Sequence, residues 1–222
     1  MIGQFSVRFE RQLENFVVVA QCGEDLAIQA AALLSKLEQL HRQGPALHPG
    51  TVVQFGWSRL VLDADDNNLV VCEPDFDGDP FHHTVPKVDR TLRVVSEQAG
   101  ICRLVQAVGP DVSFDQIMIV AKGHLATPRI YLDRRTSEVE GSSGWYLGPF
   151  EEEEPIQDQD QLEPLYLYKL LKLRPAVLSV LNLPINYVVV FDGDKIEMIF
   201  DSTGTAVLDN TTPLSKRPPK TG

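Results

Sequence analysis

The strongest constraint on the fold is one amphipathic segment near the N-terminus. Across residues 25–43, apolar side chains recur at steps of three and four. They are Leu26, Ala30, Leu33, Leu34, Leu37 and Leu40. This spacing puts them on one face of a helix, and Gly44-Pro45 ends that helix. The face has to be buried against another apolar layer, and the preceding β-branched run at 16–21 predicts a strand that supplies part of it.

The remaining pattern predicts a mixture of strands and helices in irregular order. Strand-like runs lie at 51–62, 69–73, 116–121, 129–133, 145–147, 187–191 and 196–200. Helical runs lie at 88–108, 165–173 and 175–183. Asp192-Gly193 between the last two strands is a strong hairpin signal. Because helices and strands do not alternate and no repeat is visible, we predict an α+β fold with mixed or antiparallel sheets and a few packed helices, in one or two subdomains.

Breaks in this pattern suggest the domain organisation. The polar segment 122–128 separates a first α+β domain, residues 1–121, from a second domain, residues 122–205. Periodicity is lost towards the C-terminus, which ends in KRPPKTG, so residues 206–222 are expected to form a loose tail.

Charge and cysteine content limit the classes of partner. The formal net charge is −11, which repels nucleic acid phosphates and speeds encounter with basic proteins. The three cysteines form no CxxC pair, which fits a reducing compartment. We find no apolar run of about 18 residues and no signal-peptide core. The expectation is a cytoplasmic protein whose partner is a basic protein, with no nucleic acid and no membrane partner.

Catalytic chemistry has little support, although one cluster leaves it open. Residues 75–79 resemble the start of a calcium loop, but a proline stands where the twelfth-position glutamate is needed. His82 or His83 could still join Asp77 or Asp79 in a metal site, and a metal-dependent hydrolase that reverses a toxin's modification is the alternative function. Nucleophile-elbow, P-loop and dinucleotide motifs are absent from the sequence. We therefore predict a protein that is not an enzyme, with no catalytic residue, no metal and no cofactor.

The most informative segment is an acidic run with aromatic residues before it. Four consecutive carboxylates at 151–154 are either a solvated loop or a docking surface for a basic partner. Trp145 belongs in a core or in an interface, since it combines a large apolar body with an N–H donor. The predicted partner-binding residues are Trp145, Tyr146, Phe150, Glu151, Glu152, Glu153, Glu154, Asp158 and Asp160.

Segments on both sides of the acidic run carry a family resemblance. Residues 131–135, 141–147 and 174–184 resemble the immunity-protein family numbered thirty-three, whose members lie beside polymorphic toxins. The resemblance covers roughly residues 115–200. It implies that the second domain is immunity-protein-like and that the chain binds and neutralises a cognate bacterial toxin. A nuclease or another secreted effector, including one delivered by type VI secretion, would be blocked by occlusion of its active site. An adaptor module with no toxin partner is a further alternative.

Overall fold

The chain forms two compact units, each built on one sheet. The computed structural model describes residues 6–150, 156 and 158–211. The units divide between residues 97 and 98, earlier in the chain than the boundary after residue 121 that the sequence suggested. Two sheets with a few helices confirm the α+β class.

The first unit contains a six-stranded sheet. Its strands are β1 (Ser6–Leu13), β2 (Phe16–Gly23), β3 (Val52–Phe55), β4 (Ser58–Asp65), β5 (Asn68–Pro74) and β6 (Thr84–Val85). The spatial order is β1-β2-β5-β4-β3, and β6 pairs with β5. The β2–β5 pair is parallel, and the other pairs are antiparallel.

The predicted single strand at 51–62 is wrong, because the chain reverses within it. Gly56 has a φ of 54°, a conformation that favours glycine. A Cβ atom at this position would lie 2.3 Å from Cγ2 of Val95, so only glycine fits between the hairpin and the helix. Residues 52–55 and 58–65 therefore become the two antiparallel strands β3 and β4.

The amphipathic helix is confirmed and covers one face of the first sheet. After a 3-10 turn at Glu24–Leu26, α1 runs from Ala27 to Gln43. Its buried Leu33 and Leu37 join a core with Val18, Leu60 and Val71 of the sheet. Burial of this apolar surface is the main force that holds α1 on the sheet.

A second helix, α2 (Asp89–Val105), begins in the first unit and ends in the second. Its start is fixed by carboxylates. The N–H of Gly23 donates to Asp89, at 2.8 Å, and the N–H of Thr91 donates to Glu73, at 2.8 Å. Glu73 thus satisfies an N–H group of the first turn that has no partner within the helix, whereas Asp89 ties the start of the helix to the end of β2.

The second unit contains a seven-stranded sheet. Its strands are β7 (Ile117–Ala121), β8 (Arg129–Arg134), β9 (Ser142–Pro149), β10 (Leu162–Tyr166), β11 (Val188–Asp192), β12 (Lys195–Phe200) and β13 (Ala206–Asp209). The spatial order is β10-β7-β9-β8-β11-β12-β13, in which only the β7–β9 pair is parallel.

Two C-terminal predictions have different outcomes. The hairpin at Asp192-Gly193 is confirmed, with Gly193 at a φ of 58°. By contrast, residues 206–209 of the expected tail pair with β12 and form the edge strand β13. The last part of that expected tail, residues 212–222, lies outside the described residues.

Short helical segments supply the second layer of this unit. They are the 3-10 turns Gln159–Gln161, Leu167–Lys169 and Pro175–Val180 and the one-turn helix α3 (Leu170–Leu173). The predicted helix at 165–173 is shortened because Leu165 and Tyr166 pair with β7. Leu170, Val177 and Leu181 of this layer are fully buried.

Candidate partner-binding surface

We call residues 151–156 the acidic segment. The chain is attached to the second sheet on both sides of its four glutamates, and the first attachment is at Phe150. The guanidinium carbon of Arg129 lies 3.8 Å from the centre of the Phe150 ring, a cation–π contact. Arg129 also donates two hydrogen bonds to Glu197, at 2.9 and 3.0 Å. The segment therefore leaves β9 from a defined and partly exposed aromatic residue.

The second attachment is at Tyr146, whose hydroxyl accepts the N–H of Ile156 at 3.2 Å. The ring of Tyr146 lies 5.7 Å from that of Tyr131 on the neighbouring strand. Asp158 then caps the turn before β10 by accepting the N–H of Asp160 at 3.0 Å. Asp158 and Asp160 are both exposed. Glu151, Glu152, Glu153 and Glu154, between the two attachments, lie outside the described residues.

Trp145 lies in the core rather than at the surface. Only 1% of the residue is exposed, and its Nε1 donates to the carbonyl of Leu181 at 2.9 Å. Gly144 precedes Trp145 and has a φ of 76°. It allows the backbone of Arg135 to come close, because a Cβ atom at Gly144 would lie 2.1 Å from the carbonyl oxygen of Arg135. A buried indole cannot contact a partner directly, so Trp145 positions Tyr146 and the strand that carries it.

Two buried arginines stabilise the second unit, and this role was not predicted from the sequence. Arg134 donates to the carbonyls of Leu183 and Pro110, and its guanidinium lies 5.6 Å from the Trp145 ring. Burial lowers the pKa of Arg134, and nearby Asp111 opposes this effect. These contacts join the chain before β7 to the helical layer of the same unit.

Arg174 binds four carbonyl oxygens at once. They belong to Leu125, Thr127, Pro128 and Gly193, at distances from 2.5 to 3.0 Å. This side chain is 5% exposed, and burial lowers its pKa. Arg134, Trp145 and Arg174, which lie in the segments that carry the family resemblance, therefore stabilise the interior of the unit.

Negative charge is concentrated around the candidate surface. Between residues 136 and 168 the chain has nine carboxylates and no Lys, Arg or His. That stretch carries a formal charge of −9, whereas the rest of the second unit carries +4. Its described acidic residues, Glu138, Glu140, Asp158, Asp160 and Glu163, are all exposed. Within the second unit, negative charge is therefore concentrated in this one stretch, although the two units carry similar formal charges, −6 for the first and −5 for the second.

Asp77 and Asp79 of the cluster at 75–83 have side-chain partners within the protein. Arg90 donates to both oxygens of Asp77, at 2.9 and 3.0 Å, and His82 lies 2.8 Å from Asp79. The hydrogen bond with His82 lowers the pKa of Asp79. Across the described ranges, no three His, Cys, Asp or Glu side chains are grouped so that they could hold a metal ion.

The cysteines are also poorly suited to chemistry. All three are free and buried. Burial raises the pKa of Cys22 and of Cys72 to about 11, and it raises the pKa of Cys102 as well. A thiol with a raised pKa is a weak nucleophile at neutral pH.

Comparison with known proteins bears on the second unit. A family model described as the Imm33-like domain matches residues 97–202. Residues 97–202 are Imm33-like. The resemblance inferred from residues 131–135, 141–147 and 174–184 is thus confirmed, and the match begins at the division between the two units. No curated protein and no solved structure matches the chain. No helix in the described part of the chain is long and apolar enough to cross a membrane.

Proposed function

We propose that this chain is an immunity protein that binds a bacterial toxin and neutralises it by covering a basic active-site surface. The family match supports the class, because the Imm33-like region forms most of the second unit. The observation that carries the proposal further is a 33-residue stretch of the Imm33-like region, residues 136–168. This stretch has nine carboxylates and no basic residue.

The proposed contact residues follow from the geometry around the acidic segment. Tyr146 and Phe150 are partly exposed and lie at its two attachments, and Asp158 and Asp160 are exposed at its end. Glu151, Glu152, Glu153 and Glu154 complete the proposed surface by sequence position. Trp145 contributes indirectly, by holding β9 against the helical layer.

The proposed mechanism is electrostatic and steric, with no covalent step. Carboxylates can occupy the positions where a nuclease or another phosphate-directed toxin holds the phosphates of its substrate. Charge steers the first encounter, and aromatic side chains then supply contact area. The protein would act in the cytoplasm of the cell it protects, in keeping with its three free thiols.

The first experiment is co-expression of the chain with the toxin encoded beside it. Survival of cells that die with the toxin alone, together with a purified complex at micromolar or lower concentration, is the expected result. Absence of a complex, with or without protection, would refute the proposal.

A second experiment isolates the acidic segment. Substitution of Glu151 to Glu154 by Gln should slow association about tenfold at low salt and flatten its salt dependence, because steering depends on charge. The matched control replaces four exposed carboxylates of the first unit: Glu14→Gln, Glu24→Gln, Asp63→Asn and Asp65→Asn. Equal association rates for the two variants would remove the acidic segment from the mechanism.

A further inference from the structure

One face of the second sheet presents apolar side chains near its β10 edge. Ile117 and Ile119 of β7 lie in register with Tyr166 and Pro164 of β10. Ile119 is 38% exposed and Tyr166 is 37% exposed. We call these four residues the β7–β10 face. Apolar side chains on one exposed sheet face form a continuous patch, and large patches with a polar rim mark interaction sites, whereas scattered exposed apolar residues do not.

The surface continues from the β7–β10 face to the aromatic pair on the next strands. Ile119 is in register with Tyr146 of β9, whose ring lies 5.7 Å from that of Tyr131 on β8. Tyr146 is also the residue that holds Ile156 of the acidic segment. The apolar face therefore continues to Tyr146, the residue that holds Ile156.

Carboxylates lie beyond both ends of these strands. At one end, Glu138 and Glu140 are exposed in the turn before β9, and the N–H of Ile117 donates to Gly141 of that turn at 2.8 Å. At the other end, Asp158 and Asp160 precede β10, and the N–H of Lys122 donates to Gln161 at 2.8 Å. The Lys122 ammonium group donates to the carbonyl of Asp160 at 2.7 Å, so this end carries two carboxylates and one cation. An apolar centre with a charged rim is the arrangement found in protein interfaces.

We propose that the β7–β10 face is a docking site for a basic protein, which places an apolar side chain on Ile119 and Tyr166 and cationic side chains beside Glu138–Glu140 and Asp158–Asp160. The inference rests on the proposed function, since it identifies the toxin as the basic partner. It adds a contact area that the acidic segment alone does not provide. Charge sets the rate of encounter, whereas burial of the apolar centre sets the rate of dissociation.

Charge complementarity distinguishes this partner from other occupants. A second copy of the chain, joined by a two-fold axis, would bring the same face of each copy together. The acidic rims would then meet, and like charges at close range oppose such a contact. An anionic lipid surface is disfavoured for the same reason. A basic partner is attracted by both ends of the β7–β10 face.

The test uses the full chain and the purified, catalytically inactivated toxin encoded beside it. The variant Ile119→Thr/Tyr166→Thr removes the apolar centre and keeps residues suited to a strand. The matched control, Val108→Thr/Leu104→Gln, alters apolar residues that are 76% and 52% exposed elsewhere in the unit. Val108 lies beside the helical layer and not on the β7–β10 strands, since the N–H of the neighbouring Gly109 donates to Asn182 in that layer.

We expect the Ile119/Tyr166 variant to weaken binding by about 10- to 30-fold, mainly through faster dissociation, as for hot-spot residues. The control should bind within about twofold of the unaltered chain. Glu138→Gln/Glu140→Gln should instead slow association at low salt. Circular dichroism and the unfolding midpoint of each variant establish that its fold is retained.

The outcomes separate the two proposals. If the unaltered chain binds and the Ile119/Tyr166 variant binds equally well, the docking site is refuted and the immunity function stands. If the unaltered chain does not bind, the immunity function and the docking site both fall. A dimer of the chain alone that dissociates on substitution of Ile119 and Tyr166, measured by sedimentation velocity, would assign the face to self-association and overturn the proposal.

Discussion

Stability of the first unit should depend on pH through one buried carboxyl group. Glu73 is 1% exposed on β5, where it accepts the N–H groups of Arg90 and Thr91 at the start of α2. Thr91 in turn donates its hydroxyl to Ser58, at 3.0 Å. Burial raises the pKa of Glu73 from 4.5 to about 7 and outweighs the hydrogen bonds, which lower it.

The direction of the effect follows from proton binding. Between pH 4.5 and about 7 the folded chain keeps a proton on Glu73 that the unfolded chain releases. Stability from this group is therefore fully present below pH 4.5 and is lost as the pH rises towards 7. Since each pH unit of separation is worth about 1.4 kcal/mol, the loss is about 3 kcal/mol.

Glu73→Gln tests this by removing the titration while keeping the shape of the side chain. The glutamine side chain turns its NH2 group, a donor, towards one of the two backbone N–H groups. This costs about 1 to 3 kcal/mol, and the cost does not vary with pH. Relative to the parent protein, the variant should therefore gain about 2 to 3 kcal/mol in free energy of unfolding between pH 5 and pH 8. Effects of other titrating groups cancel in this difference.

The assay is urea unfolding followed by fluorescence. The chain has two tryptophans, and Trp145→Phe in both proteins leaves Trp57, which is fully buried in the first unit, as the reporter. A difference between the two proteins that is the same at pH 5 and at pH 8 would refute the assigned protonation of Glu73.

Two further predictions concern the interior. Arg174→Met removes the donor to four carbonyls and should lower the free energy of unfolding of the second unit by about 3 kcal/mol. The measurement is urea unfolding with Trp145 as reporter. A loss below about 1 kcal/mol would show that the hydrogen bonds are replaced. The three buried thiols should react with Ellman's reagent at pH 8 far more slowly in the folded chain than in urea, because burial raises the pKa of each. Rapid labelling of the folded protein would contradict this expectation.

Local patterns predicted those parts of the fold that local forces determine. The Leu spacing in α1 and the Asp192-Gly193 turn are properties of adjacent residues, and both predictions are confirmed. β1 was missed because its outward positions, Arg8 and Glu10, interrupt the apolar signal with charges. β10 was missed because its last residues continue into a helical pattern, while pairing with β7 holds them extended.

The candidate site shows the same limit more clearly. The acidic run and the aromatic residues near it are visible in the sequence, but the attachment of Ile156 to Tyr146 and of Phe150 to Arg129 is not. Arg174 reaches carbonyls that lie 46 to 49 residues earlier in the chain, and backbone acceptors leave no trace in residue identity. The burial of Trp145 likewise depends on a carbonyl 36 residues away.

The inward position of Arg134, Trp145 and Arg174 has a consequence for how recognition can diversify. These side chains hold the unit together through backbone carbonyls, which any residue provides. The outward residues of β7 and β10 take no part in those contacts. Under the proposed function, a lineage that meets a new toxin could therefore exchange its exterior piece by piece on an unchanged framework, and a loop transplanted between two such proteins should carry its specificity with it.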